Sequence, residues 1–240
     1  VLVKILKINW GLDFSWSKIY DKGMVKERQG KCVMILYHNP LCVLACTGTQ
    51  NRIKEQSMYY IGIDLGTSAV KLLLMEGNGK IVRVTSREYP LYFPHPGWSQ
   101  QNPEDWYKQS MDGLCELLDG IDKSRVAGIS FGGQMHGLVV LDENDQVIRP
   151  AILWNDGRTF RENDYLNQVI GKEKLSEYTA NISFTGFTAP KILWMKNNEP
   201  ENFARIKKIM LPKDYLAYRL TGVHCTDVSD ASGMLLFDVK

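Results

Sequence analysis

Several signals that would assign this 240-residue chain to a familiar class of protein are missing. The formal net charge is only +2, so the composition does not point to nucleic acid or an anionic membrane. The five cysteines are odd in number and lack the paired spacing that binds zinc. We interpret them as free thiols of a reducing compartment and expect a cytoplasmic protein. Hydrophobic residues at 44% and charged residues at 23% fit an ordinary globular chain.

Phosphate-loop, repeat and targeting signals are missing as well. No G-x-x-x-x-G-K-[ST] motif occurs, so the familiar helix-led phosphate loop is excluded. There is no internal repeat and no low-complexity tract. The most apolar early stretch, residues 32–46, is interrupted by His38-Asn39-Pro40 and is too short to span a bilayer. It also lies too far along the chain, without a small-residue cleavage site, for an ordinary signal peptide.

The first 57 residues differ in charge from the remainder. They carry 9 Lys+Arg against 4 Asp+Glu, whereas residues 58–240 carry 20 against 23. They also show no helical or strand periodicity. Our preferred interpretation makes Met58 the natural start and residues 1–57 a non-native or disordered leader. The alternative is a genuine but poorly ordered extension.

Residues 58–240 show the patterns of a mixed α/β domain, in which an antiparallel-led sheet carries packed helices. Asn102 and Pro103 start a helix that runs to about Leu118, since Asn caps and Pro suits the first helical position. Thr188 is expected to cap a later helix, and Gly222 to end another. Strands are predicted over 59–64, 70–75, 81–88 and 126–131, a hairpin over 138–148, and helices near 158–170, 189–197, 200–208 and 213–221.

The most informative segment is DLGTS, residues 64–68, which closes the first predicted strand. Asp64 could hold a metal ion that bridges phosphates. Gly66 would let the backbone approach a ligand closely, and the hydroxyls of Thr67 and Ser68 would face an anion in the turn. These features favour a phosphate site on a β-hairpin. A tight turn that binds nothing is an equal alternative.

A second segment, residues 132–137, follows the strand over 126–131 with three glycines that should break regular structure. Gln134 and His136 could form hydrogen bonds with a polyol, and Met135 could pack on its carbon skeleton. Taken alone, His136 is more often a loop histidine with partners inside the protein.

A third segment ends an apolar run with Trp154, Asn155, Asp156 and Arg158. An indole beside an amide, a carboxylate and a guanidinium suits a sugar, whose hydroxyls need hydrogen bonds and whose carbon skeleton stacks on an aromatic ring. The alternative, equally weighted, is that Asn155 or Asp156 caps a helix while Arg158 pairs with an acid.

Two later stretches are rich in charge. Lys213 and Asp214 begin a helix and are interpreted as structural. Residues 227–233 combine carboxylates and hydroxyls, for which a turn is the first interpretation and a place near the sugar the second.

In this order, the segments resemble the FGGY family of carbohydrate kinases. The resemblance covers nearly all of residues 58–240 and none of residues 1–57. The string YIGIDLGTS is shared with other actin-like ATPases, whereas GQMHG followed by PAILWNDGR is far more specific to the branch that phosphorylates D-xylulose. The matching strings are YIGIDLGTS at 60–68, GQMHG at 133–137, PAILWNDGR at 150–158, GFTAPK at 186–191, LPKDY at 211–215 and SDASG at 229–233.

The resemblance implies a ribonuclease-H-like, actin-like α/β fold: a mixed sheet with flanking helices, incomplete in this chain. It implies MgATP-dependent phosphorylation of D-xylulose to D-xylulose 5-phosphate, with sugar bound mainly by this N-terminal domain. Asp64 would lie near Mg²⁺, and Gly66, Thr67 and Ser68 would line the ATP phosphates. The substrate-binding residues implied are Gln134, Met135, His136, Trp154, Asn155, Asp156 and Arg158.

The general base of the family is an aspartate in a later glycine-rich segment, which does not occur by Lys240. We therefore expect a truncated domain with no catalytic base and no activity of its own. The expected partners are sugar and ATP, without nucleic acid or membrane, and the full-length protein could be a homodimer. The alternatives are an FGGY kinase for glycerol, gluconate, ribulose or fuculose, and a non-catalytic sugar-binding remnant.

Overall fold

The computed structural model describes residues 58–239 and, as backbone only, two earlier strands at 32–37 and 42–47. The predicted leader therefore falls largely outside the described residues. The described chain divides into two compact units. We call residues 58–89 and 104–133, with the two early strands, the sheet unit, and residues 90–103 and 134–239 the helical unit.

Ten strands and seven α-helices make up the regular structure that is described. The strands are β1 (Cys32–Tyr37), β2 (Cys42–Thr47), β3 (Tyr59–Leu65), β4 (Ala69–Glu76), β5 (Ile81–Glu88), β6 (Gln100–Gln101), β7 (Val126–Gly133), β8 (Val139–Leu141), β9 (Ala151–Ile152) and β10 (Lys208–Met210). The helices are α1 (Pro103–Leu117), α2 (Phe160–Tyr165), α3 (Lys172–Thr179), α4 (Thr188–Asn198), α5 (Pro200–Arg205), α6 (Pro212–Thr221) and α7 (Val228–Ala231).

The sheet unit is built on a six-stranded mixed sheet in the order β1-β2-β7-β3-β4-β5. The predicted meander of β3, β4 and β5 is confirmed, with both of its pairs antiparallel. In β4, Val70, Leu72 and Leu74 alternate with more exposed residues and are fully buried, as expected of a strand with one face on the core. Helix α1 begins at the predicted Pro103 and buries Trp106 completely.

Strand β7 pairs in parallel with β3, and here one expectation is wrong. The glycines were expected to break the strand, but β7 continues to Gly133, with Gly132 opposite Asp64 and Gly133 opposite Leu65. A Cβ on Gly133 would lie 2.9 Å from the Leu65 Cβ and 3.0 Å from its carbonyl oxygen. Glycine is therefore what allows the two backbones to approach so closely.

The helical unit has its own apolar core, and it contains two small antiparallel sheets, β6 with β9 and β8 with β10, of which β8 and β9 contribute residues to that core. Ile152 from β9, Ile192 and Met195 from α4, and Leu211 just before α6 are fully buried members of this core. No helix within the described ranges is both long and apolar enough to cross a bilayer.

Three helix predictions for this unit need correction. The helix expected near 158–170 is present over residues 160–171, but only α2 is α-helical, since Leu166–Gly171 forms a π-helix that α3 follows directly. The helix expected over 200–208 ends at Arg205, because the residues that follow pair with β8 as β10. Thr188 is the first residue of α4 and makes no capping bond for it. The predicted stop at Gly222, with φ of 72°, is confirmed.

The contact between Gly133 and Leu65 leads to a stability prediction. Gly133→Ala should lower the free energy of unfolding by about 2 kcal/mol, because the added methyl group meets backbone that cannot move aside. The matched control is Gly132→Ala, since nothing lies within 4 Å of a Cβ at Gly132. Urea unfolding of both variants measures the difference, and equal losses would contradict this account of the β3–β7 pair.

Candidate functional site

The first predicted segment, residues 64–68, comprises the end of β3 and the turn that leads to β4, and we call it the phosphate turn. Asp64 is exposed at the end of β3, and Ser68 is exposed on the far side of the turn. The Gly66 N–H donates to the Ala69 carbonyl at 3.1 Å, and a Cβ on Gly66 would lie 2.9 Å from that oxygen. Glycine at 66 is thus required by the tightness of the turn.

Tyr89, which the sequence reasoning overlooked, holds the phosphate turn at two points. Its hydroxyl donates to the Gly66 carbonyl, and its backbone N–H donates to the Ser68 carbonyl at 3.3 Å. Burial, with the charge of Asp64 as a second cause, raises the pKa of Tyr89 well above its usual value of 10. The phenol therefore stays protonated and remains a donor at neutral pH. Nothing in the sequence marks this tyrosine, because its role depends on burial.

The phosphate turn offers one exposed carboxylate, that of Asp64, to a cation. Within the described residues, no group of three or more His, Cys, Asp or Glu side chains is placed to hold a metal ion. Magnesium is usually bound through one or two carboxylates, with phosphate oxygens and water completing its shell. The exposed carboxylate of Asp64 fits that mode of binding.

The second segment lies in the helical unit, and we call residues 134–137 the His136 loop. Gln134 is buried and its Nε2 donates to Gln101 Oε1 at 3.1 Å, so it supports the loop from inside. Met135 is 44% exposed and available to a ligand. His136 is half-buried and has a left-handed φ of 60°, which is uncommon for a residue other than glycine.

The imidazole of His136 is enclosed by two neighbours. Its ring packs on Phe187 with 4.6 Å between the ring centroids. On another side lies Gly233, where a Cβ would come within 2.3 Å of His136 Cε1. Burial, and next the charge of Lys191, lower the pKa of His136 below 6.5. A hydrogen bond with the Gly233 backbone acts in the opposite direction but is the weaker cause, so the ring is neutral at pH 7. Its Nδ1 is buried.

The third segment, residues 154–158, separates into outward and inward side chains. Trp154 is 42% exposed and Asn155 is also exposed, whereas Asp156 and Arg158 are buried. Arg158 donates from Nε to Asp156 Oδ1 at 2.8 Å and from Nη2 to Asp156 Oδ2 at 2.7 Å. Two backbone N–H groups, those of Ser99 at 2.6 Å and Arg158 at 2.9 Å, also donate to the carboxylate.

The Asp156–Arg158 pair bears on the two interpretations of this segment, contact with a sugar or a helix cap with an ion pair. The Arg158 guanidinium lies 3.7 Å from the centroid of the Trp98 ring. Neither Asn155 nor Asp156 caps α2, for which Thr159 occupies the capping position. The structure thus favours a buried ion pair between Asp156 and Arg158. Trp154 and Asn155 are then the side chains of this segment that face outward. Direct contact of any of the four with a sugar stays a prediction.

Lys191, in α4, connects the His136 loop to the Trp154 segment. Its side chain is fully buried, and its Nζ donates to the His136 carbonyl at 2.9 Å and to the Gly186 carbonyl. A Cβ on Gly186 would lie 2.5 Å from the Trp154 carbonyl oxygen, so these backbones touch. Burial lowers the pKa of Lys191 to about 7. The sequence reasoning attached no role to this lysine, because the pattern around it is that of an apolar helix.

A cluster of charges supports the loop that ends at Gly233. The Lys213 Nζ lies 2.6 Å from Asp214, 2.7 Å from Asp227 and 3.3 Å from Asp230. Burial opposes the charge on Lys213, but these carboxylates raise its pKa above 10.5. Asp227 caps α7 by accepting from the Asp230 N–H at 2.9 Å. Residues 227–233, for which a place near the sugar was the second interpretation, therefore end against His136.

Comparison with known proteins places the chain in context. A sequence model described as "FGGY family of carbohydrate kinases, N-terminal domain" matches residues 59–240. The chain is 48% identical over 183 residues to a curated xylulose kinase of Bacillus subtilis, a match covering 75% of this chain and 36% of that protein. The chain thus spans little more than a third of the length of this relative.

Two solved structures are similar in fold. One, named "xyloylose kinase" from Brucella ovis, superposes with a TM-score of 0.71 at 44% identity, covering 75% of this chain and 38% of that one. The other, a gluconate kinase from Lactobacillus acidophilus, gives a TM-score of 0.73 at 29% identity, covering 77% and 37%. The expected α/β fold of an actin-like sugar kinase is thereby confirmed.

The buried pair of Asp156 and Arg158 generates a prediction about stability. Arg158→Met should destabilise the chain by about 3 to 5 kcal/mol, because it leaves the Asp156 carboxylate buried without its partner. Arg161→Met removes the same type of charge from an exposed site nearby and serves as control. Urea unfolding of both variants measures the effect. A loss for Arg158→Met within about 1 kcal/mol of the control would show that the pair carries no such role.

Proposed function

Because this chain belongs to the FGGY family of carbohydrate kinases, we propose that it supplies the sugar-binding part of an enzyme that phosphorylates D-xylulose with ATP. The product is D-xylulose 5-phosphate. The observation that carries the choice of sugar is the 48% identity to a curated xylulose kinase. The comparison covers a third of that relative, so the activity is proposed for a protein that includes the remaining parts.

The helical unit has the side chains that a ketose requires. Met135 and Trp154 present exposed apolar surface against which a carbon skeleton can pack. The exposed Asn155 amide supplies donors and an acceptor for hydroxyls, and the half-buried His136 ring would add a contact through an atom other than its buried Nδ1. Lys191 and Gly186 join the backbones of His136 and Trp154, which supports a single site for these groups. The buried ion pair of Asp156 and Arg158 would support this segment from the interior of the unit.

The phosphate turn is the proposed place for the MgATP phosphates. Asp64 would hold Mg²⁺, which, when bound, neutralises charge on the phosphoryl group being transferred. Gly66 would let backbone amides approach the phosphates, and the Thr67 and Ser68 hydroxyls would donate to their oxygens. Tyr89 keeps this turn in shape through the Gly66 carbonyl. The general base is proposed to come from a segment outside these 240 residues, so that turnover requires that segment.

One different sugar has specific support. The gluconate kinase of Lactobacillus acidophilus superposes as closely as the xylulose relative does, with a TM-score of 0.73 against 0.71. A gluconate ligand would bring a carboxylate, whereas xylulose is uncharged. The lower identity of 29% ranks gluconate second.

Calorimetric titration of the chain with D-xylulose, gluconate and glycerol tests the proposal. We expect D-xylulose to bind, and Trp154→Ala to weaken binding at least tenfold, because the stacking surface is lost. Tyr165→Ala is the matched control, since Tyr165 is 39% exposed in the same unit but lies outside the proposed site.

The outcomes separate the candidates. Binding of gluconate in preference to D-xylulose would transfer the assignment to a gluconate kinase. Equal effects of Trp154→Ala and Tyr165→Ala on affinity would show that the Trp154 segment is not the sugar site. Absence of binding for all three compounds would contradict the proposal for this chain.

A further inference from the structure

Lys191 is buried in a place where a positive charge is energetically unfavourable. Lys191 has no exposed surface, and it lies in α4 among apolar residues such as Ile192 and Met195. Moving an ammonium group out of water is unfavourable unless the group gains strong hydrogen bonds. Its Nζ donates to two backbone carbonyls, those of His136 and Gly186. An apolar side chain would fill the same space without that cost, so these two bonds distinguish lysine here.

The first acceptor belongs to a residue with strained backbone. His136 adopts φ of 60°, and a left-handed conformation of a residue with a Cβ persists only when its surroundings hold it. Two donors meet at its carbonyl oxygen: Lys191 Nζ at 2.9 Å and Thr188 Oγ1 at 3.1 Å. Together they fix the plane of the peptide that follows His136. The direction of the imidazole is fixed with it.

The second acceptor, the Gly186 carbonyl, belongs to a residue that packs against the Trp154 segment. The Gly186 backbone packs against the Trp154 carbonyl, so closely that a Cβ on Gly186 would lie 2.5 Å from that oxygen. An amine that holds the Gly186 carbonyl therefore also limits the position of Trp154. One nitrogen atom thus sits between the two segments whose exposed side chains would have to meet a common ligand.

We propose that Lys191 is a positioning residue for the sugar site, whose buried amine fixes His136 and Trp154 relative to each other for a polyhydroxy ketose. This proposal rests on the proposed function, because it assumes that both side chains face one sugar. Lys191 itself does not contact the ligand. Since a neutral amine keeps two N–H donors, the His136 and Gly186 carbonyls both accept a hydrogen bond in either protonation state near pH 7.

The test uses three variants of the chain, each measured with and without sugar. Lys191→Met removes the amine and keeps the apolar stem. Thr188→Val removes only the second donor to the His136 carbonyl. Lys196→Met, on the same helix, removes a charge from a half-buried position and is the control. The measurements are the D-xylulose dissociation constant by calorimetry and hydrogen–deuterium exchange of the free chain.

We expect Lys191→Met to raise the dissociation constant at least tenfold and Thr188→Val about threefold, with Lys196→Met unchanged. In the free chain, Lys191→Met should speed exchange in residues 134–137 and 184–187, while the remainder of α4 keeps its protection. Unchanged affinity of Lys191→Met for D-xylulose would overturn the proposal. Faster exchange spread evenly over the helical unit would do the same, because it would make Lys191 a general core residue.

The remaining outcomes are also decisive. If the unaltered chain binds no D-xylulose, the proposed function fails, and the exchange pattern alone then decides whether Lys191 positions the two segments. If Lys191→Met does not fold, Thr188→Val carries the test, since it removes the other donor to the same oxygen. Exchange of residues 134–137 that is unaltered in Thr188→Val would then refute the positioning role.

Discussion

The parallel pairing of β3 with β7 is the constraint on which the sheet unit depends. It brings the carboxyl ends of two strands to one edge, so that Asp64 lies opposite Gly132. The close approach of β7 to Leu65 requires glycine at 133. Because β3 and β4 are consecutive and antiparallel, the chain turns back one residue after Asp64, and the carboxylate stands at the phosphate turn. The position of the carboxylate thus follows from strand topology.

The helical unit uses its buried polar groups in a different way. The Asp156–Arg158 pair and the Lys191 amine all face inward and bind protein atoms. Such groups add little net stability, since their desolvation offsets much of what their contacts gain. What they provide is direction, because hydrogen bonds fix a geometry that apolar contacts leave open. The half-buried His136 and the exposed Trp154 then project from backbone that Lys191 and Gly186 contact.

Much of the fold could be predicted because local signals agreed with the tertiary structure. Alternating apolar residues marked the β3–β5 meander, and Asn102-Pro103 marked the start of α1. The failures occurred where a distant partner decided the outcome. Residues 208–210 form a strand because β8 offers them an edge, although the sequence around them favours helix. Thr188 has the sequence position of a helix cap, but its hydroxyl is used by the distant His136 carbonyl.

The site was predictable as a set of segments but not as a set of roles. Sequence predicted the phosphate turn, the His136 loop and the Trp154 segment as the binding segments, and ligand binding by them stays a prediction. It could not tell that Asp156 and Arg158 pair with each other, since a carboxylate two residues from an arginine can face inward or outward. Tyr89 and Lys191 were overlooked because each acts through burial and a backbone carbonyl, which leave no pattern in the sequence.

The central claim is that Met135, His136, Trp154 and Asn155 form one sugar-binding surface. Nuclear magnetic resonance mapping of the chain with D-xylulose tests it most directly. We expect added sugar to shift the resonances of these four residues together and along one binding curve. Shifts confined to another surface of the helical unit, or shifts of the His136 loop and the Trp154 segment that follow different binding curves, would contradict it.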